Sequence, residues 1–304
     1  MEMIMGLLIN PLFMGFTQVT VFTIMLGMGL NLSVKELASL WGGPGLMVRS
    51  LLAVVVLVPL ALMGLSPLLI RLGITAGAGM ALVVLAACPG APLLTTRAAT
   101  AGGDFIYATG IQLSSSVLAI VATPFLLFFF SLPYPETHQT IHPMAVAKVV
   151  AYVQLLPIGI GLFIHHLRES LARTLARWLA KLSKILLLVL VLVLMVASFG
   201  LILAIDWADI LSILLFAAAA LAIGHVTGAP DPALRYALAV GCRARNIGLA
   251  LVILVFNQQM GNVVPFLIAF MILGSVLAIP YSVWMKKRVA KGKGVPLPHE
   301  LRGR

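Results

Sequence analysis

The sequence predicts an all-α polytopic membrane protein of about nine transmembrane helices, built as an inverted repeat with two discontinuous helices. Three observations lead there. The 304 residues are 62% hydrophobic and only 10% charged, with a mean hydropathy of +1.13, a composition no soluble globular domain shows. Apolar stretches of about 20 residues, enough to cross a bilayer as helix, recur along the whole chain. Two of those stretches are interrupted by polar and helix-breaking residues, one in each half.

Taken in order, the spans fall near residues 4–30, 46–70, 74–101, 106–130, 144–164, 185–205, 210–226, 234–256 and 263–284. The start, Met1-Glu2-Met3-Ile4, has no basic region and no small-residue cleavage site, so it reads as a retained span rather than a signal peptide. The third span carries Cys88-Pro89-Gly90-Ala91-Pro92-Leu93-Leu94-Thr95-Thr96-Arg97, and the eighth carries Gly241-Cys242-Arg243-Ala244-Arg245-Asn246. A broken helix at membrane depth requires protein or a watery cavity to satisfy its freed backbone groups. Paired breaks in corresponding spans point to the binding site of a secondary transporter. A polar connection around Pro133–Gln139 divides the chain into a first repeat of about 1–131 and a second of about 144–285. Together they form one transmembrane domain, followed by a basic tail, 286–304.

Twenty basic residues against nine acidic give a net charge of +11. Their positions exclude nucleic acid as the partner, because most lie in short connections and the tail, as cytoplasmic loops require. The tail, the 168–184 segment, Lys35, Arg49 and Arg235 share one side, whereas Glu136, Asp206 and Asp209 share the other with Arg71. The expectation is a multi-pass protein of a bacterial inner membrane with its N-terminus outside and its C-terminus cytoplasmic. Segment 168–184 reads as a positive-inside loop, with an amphipathic surface helix as its alternative. Cys88 and Cys242, the only cysteines, fall inside spans and form no disulfide framework. No metal-ligand cluster, nucleophile–base pair or carboxylate pair lies in the spans, so no cofactor, metal or catalytic group is expected and the chain does not read as an enzyme.

Arginine inside a bilayer costs a few kcal/mol even on the lenient insertion scale, and it does not deprotonate. Arg97, Arg243 and Arg245 sit in the interrupted segments, and none of the nine acids lies well inside a span. A substrate can supply the missing negative charge, and the guanidinium fork suits a carboxylate, sulfonate or phosphate. Arg97 has two readings: a cavity residue, or a side chain that reaches the boundary or pairs with Asp104. Arg243 and Arg245, two residues apart, point in different directions on a regular helix. Thr95, Thr96 and Asn246 are the accompanying polar candidates, and His225 is a weaker candidate for proton coupling.

The chain resembles the bile acid:sodium symporter superfamily over nearly its whole length. Gly27-Met28-Gly29-Leu30-Asn31-Leu32, Cys88-Pro89-Gly90, Gly102-Gly103-Asp104, Leu155-Leu156-Pro157-Ile158 and Asn246-Ile247-Gly248-Leu249-Ala250 match that family's motifs in order and spacing. The resemblance implies that the two discontinuous helices cross within a core bundle, flanked by a smaller panel that moves against it. It also implies where sodium would bind, and there the sequence departs. The second motif of the family reads Glu-x-Gly-x-Gln-Asn; here Gly241 stands at the Glu, Arg243 at the Gly and Arg245 at the Gln, with only Asn246 retained. Leu94-Thr95 replaces Ser-Asn, Ala108 and Gln112 stand where hydroxyl ligands belong, and Val54 stands at a glutamine. Both sodium sites are therefore expected to be lost. The function expected is sodium-independent uniport or exchange of a small, carboxylate-like organic anion, with arginines in place of the sodium ions. A sodium- or proton-coupled anion symporter and a non-transporting sensor on the same fold stay open as alternatives.

Overall fold

The computed structural model describes residues 10–31, 33, 38, 41, 44–91, 94–100, 102–130, 144, 148, 151–256 and 263–292. Every regular element among them is helical. In chain order these are α1 (Pro11–Leu30), α2 (Pro44–Arg71), α3 (Ala76–Ala87), α4 (Leu94–Thr100), α5 (Phe105–Phe130), α6 (Ala151–Leu167), α7 (Glu169–Leu203), α8 (Trp207–Thr227), α9 (Pro232–Arg243), α10 (Ile247–Phe256) and α11 (Val263–Gly292). Seven spans among the described residues are long and apolar enough to cross a membrane, with α9 and α10 counting together as one. The shorter apolar helices α3 and α6 supply the cores of two further expected spans.

Helix starts follow their capping residues. Asn10 accepts from the Leu12 amide, Thr75 from Ala78, Asp104 from Tyr107, and Asp231 from Ala233 and Leu234. Each cap satisfies amides that the first helical turn leaves without partners. Asp209, buried near the start of α8, accepts from both the amide and the hydroxyl of Thr75, at 2.9 and 2.8 Å. That bond joins the halves of the chain at the end of the bundle away from the basic connections.

Helices α1, α6 and α7 pack on one another, and the remaining helices form a second group around α3, α9 and α10. Within the smaller group, α1 and α6 touch backbone to backbone. A Cβ at Gly29 would lie 2.2 Å from the Ile158 carbonyl oxygen, and one at Gly161 would lie 2.6 Å from that of Leu26. Lipid gives apolar side chains no reason to leave it, so such close approach at small residues is what holds membrane helices together.

Segment 168–184 is not a loop. The structure makes it the first turns of α7, which runs unbroken through 35 residues, about 52 Å at helical rise. That exceeds the roughly 30 Å hydrocarbon core, so the basic turns extend beyond the bilayer. No proline or glycine occurs between Gly161 and Gly200 to stop the helix. Arg173 pairs with Glu169 one turn away, and Lys181 lies 5.4 Å from the Trp178 ring centre. The tail likewise begins as helix, since α11 continues to Gly292. Residues 1–9 and the polar connection at 133–139 lie outside the described residues.

Candidate functional site

Two interruptions create the site. The first helix stops at Ala87 and resumes at Leu94; the second stops at Arg243 and resumes at Ile247. Gly90 turns the first break with φ +80°, a left-handed conformation natural to glycine. It also lets α5 approach: a Cβ there would lie 2.5 Å from the Ser116 hydroxyl. The two breaks meet directly, because the Asn246 amide donates to the Cys88 carbonyl at 2.9 Å. Cys88 and Cys242 are both buried free thiols.

The backbone groups freed by the breaks find partners in side chains. Thr123 donates to the Ala87 carbonyl at 2.7 Å, and the Gln112 side-chain oxygen accepts from the Thr95 amide at 3.4 Å. Neither role is signalled by sequence, since each residue lies on α5, remote in sequence from the break it serves. Asn246 caps α10 by accepting from the Leu249 amide at 3.0 Å. Its Nδ2 is buried and has no partner among the described residues.

Arg245 lies deepest. Its Nη1 donates to the Val54 carbonyl at 3.1 Å and toward the Ala86 carbonyl at 3.5 Å. Both oxygens need an outside donor. Ala86 is in the last turn of α3, where carbonyls have no partner within the helix. Val54 lies in a π-helical stretch, Ala53–Leu57, in which the Val58 amide bonds back to Ala53; the next residue in that register, Pro59, has no N–H. Nε and Nη2 of Arg245 are buried without a hydrogen-bond partner among the described residues. That leaves free the guanidinium edge able to grip a carboxylate through two parallel bonds.

Arg97 and Arg243 converge on adjacent residues of α11. Nη1 of Arg97 reaches the Ser275 hydroxyl at 3.4 Å, and Nη1 of Arg243 lies 3.1 Å from where a Cβ on Gly274 would stand. Arg243 is 4% exposed, and its Nε has no hydrogen-bond partner among the described residues. No carboxylate lies within ion-pairing distance of Arg243 or Arg245 among the described residues. Asp104 caps α5, accepting from the Tyr107 amide. His225 bonds Tyr281 at 3.0 Å at the far end of α8 and α11, and it does not line the cavity that the three arginines share.

All three arginines and Asn246 line a cavity between α7 and α1 on one side and the crossing on the other, with an empty volume of about 1000 Å³ including its mouth. Val21 and Ile24 on α1, with Leu187 and Leu194 on α7, make the opposite wall largely apolar. The arrangement offers cations and amide donors at one end and hydrocarbon at the other. Thr95 is described but is not among the cavity's lining residues, and the side chain of Thr96 lies outside the described residues, as does Pro92. Gly241 stands where the resemblance expects a carboxylate, and a Cβ there would meet Leu94 and Ile111 at 3.4 and 3.5 Å. That apolar surrounding is no cradle for an anionic ligand of sodium.

Residues 18–205 match the family model described as Sodium Bile acid symporter family. The match ends before the second broken helix, the segment in which glycine and two arginines depart from the family motif. No curated protein matches the sequence.

Proposed function

The chain belongs to the sodium bile acid symporter family, and from that premise we propose that it carries a small organic anion without sodium. One observation supports the reading above the others: Arg245 places a permanent cation on the Val54 and Ala86 carbonyls, with its Nε–Nη2 edge unpartnered. A tethered guanidinium thus occupies backbone oxygens of the kind that hold a hard cation, and it needs no ion from solution. The substrate's acidic group binds that free edge, and Asn246 Nδ2 and Arg243 add donors. Its apolar remainder lies against α1 and α7. Alternating access follows when α1, α6 and α7 shift against the crossing, with the C-terminus on the cytoplasmic side.

Unpaired charge also sets the mode of transport. An empty carrier must move buried guanidinium groups past a low-dielectric barrier, whereas in a loaded one the bound anion cancels part of that charge. Exchange of anion for anion therefore outruns net uptake. The test is flux of labelled carboxylates, acetate to decanoate, in proteoliposomes with sodium or choline outside. Equal exchange in both media is expected. A tenfold gain with sodium overturns the tethered-cation reading, and no flux of any of the anions favours a sensor.

A further inference from the structure

Arg97 and Arg243 line a second cavity as well as the one described. It lies between α9 and α11, on the other side of the arginine pair, with an empty volume of about 770 Å³ including its mouth. Its walls are two helix faces. Tyr236, Val240 and Arg243 recur on α9, and Ser275, Ala278, Ile279, Ser282 and Val283 on α11, spacings of three and four that stack on one side of a helix. At the end nearer the basic connections the two faces are joined, because the Tyr236 hydroxyl donates to Ser282 at 3.0 Å. The groove opens sideways instead, past Ile279 and Val283, which are 57% and 52% exposed on a membrane-spanning helix. Charge lies at its depth, hydrocarbon at its mouth, and the mouth faces lipid.

We propose that this groove is a second anion site, filled from within the membrane by an anionic amphiphile. Its carboxylate or phosphate head bonds Arg243 and Arg97, with the Ser275 hydroxyl beside them, and its alkyl chain leaves between Ile279 and Val283. The buried, unpartnered Arg243 Nε is the second observation pointing to a ligand. An uncompensated buried cation is costly, and an acidic head relieves it. The inference rests on the reading of Arg97 and Arg243 as anion-binding groups. It makes the pair a partition with a ligand position on each face. A free fatty carboxylate and an anionic lipid share the required chemistry.

Val283→Cys supplies a reactive thiol at the mouth, since Cys88 and Cys242 are buried. A bimane attached there is titrated with 12-bromododecanoate in detergent, and with 12-bromododecanol as the uncharged control. Saturable quenching by the acid, with only linear quenching by the alcohol, is expected. Ile279→Trp, at an exposed position that tolerates bulk, removes saturation, and Arg243→Gln raises the half-saturation at least tenfold. Leu194→Trp, which fills only the first cavity, leaves the titration unchanged. Liposomes of phosphatidylglycerol and of phosphatidylcholine separate the sources. Competition by the anionic lipid assigns the groove to lipid, and equal titrations assign it to the free amphiphile. Saturation by the alcohol, or saturation that survives Ile279→Trp, overturns the site. Carboxylate exchange measured in parallel separates the two failures, because loss of exchange with intact quenching strikes the first cavity alone.

Discussion

Replacing Arg245 by glutamine, the residue that the family motif places there, opposes two terms that the structure allows to be weighed. Removing a buried cation without a carboxylate recovers its burial cost, about 2.5–3.5 kcal/mol on the insertion scale. Against that stands the loss of one good charge-assisted bond, Nη1 to Val54 at 3.1 Å, and a long one to Ala86 at 3.5 Å. The first contributes about 1.5–3 kcal/mol and the second little. The terms offset to within about 1 kcal/mol, so the melting temperature of the anion-free protein changes by no more than about 4 °C. Binding has no such offset. Loss of the free Nε–Nη2 edge removes two charge-assisted bonds to the substrate, about 3 kcal/mol together, which is more than a hundredfold in affinity. The assay is thermal unfolding in detergent, followed by the fluorescence of the four tryptophans, with and without carboxylates from acetate to decanoate. Wild type should gain stability with the carboxylate that binds, equally in sodium and choline, and Arg245→Gln should not respond. If the variant melts far lower without anion yet keeps the full carboxylate response, Arg245 is only a cap for two helix segments.

Three further outcomes follow from the same geometry. Gly274→Ala sets a methyl 3.1 Å from Arg243 Nη1; it should raise the KM for anion exchange several-fold with the melting temperature nearly unchanged, and an unaltered KM would place Arg243 outside the site. Gly29→Ala, whose Cβ falls 2.2 Å from the Ile158 carbonyl oxygen, should force α1 and α6 apart and destabilise by about 1–3 kcal/mol, read as a lower melting temperature; an unchanged one would contradict that contact. A reporter fused after Arg304 should face the cytoplasm and one inserted at 135–140 the exterior, as the distribution of Lys and Arg requires, and the reverse pattern would invert the proposed orientation.

The parts of the molecule legible in the sequence are those set by local chemistry. Cys88-Pro89-Gly90 breaks α3 because proline and glycine do so in any surroundings, and Asp231-Pro232 starts α9 with a cap and a first-turn proline. In segment 168–184 the charges favour a loop, with a helix only as the alternative, and the structure reverses that order. The spacing of its leucines and the lack of any proline or glycine between Gly161 and Gly200 both signal helix, and basic residues do not end one. What the sequence withholds are long-range partnerships. That Gln112 would cap α4, that Thr123 would take the Ala87 carbonyl and that Ser275 would meet Arg97 depend on how α5 and α11 lie against the crossing.

The arginines mark the same boundary in a sharper form. Sequence shows three in-span cations and no acid well inside a span, which motivates an anionic ligand and says nothing about how it is held. Pro59 in the sequence announces a missing amide, yet it leaves open which carbonyl goes unbonded until the π-helical register of Ala53–Leu57 assigns it to Val54. Only then does the direction of Arg245 follow. Its Nη1 is drawn to the two carbonyls that the backbone has left without donors, and the opposite edge of the same rigid plane must face away from them. The defect in α2 therefore orients the cation, and the cation's geometry decides that an acidic group can approach it through two bonds rather than one. A lysine at 245 could donate to the same carbonyls, but it would have no second, fixed edge to offer. Arg245→Lys should consequently keep anion-free stability and lose anion affinity, an outcome that separates charge from shape at this position.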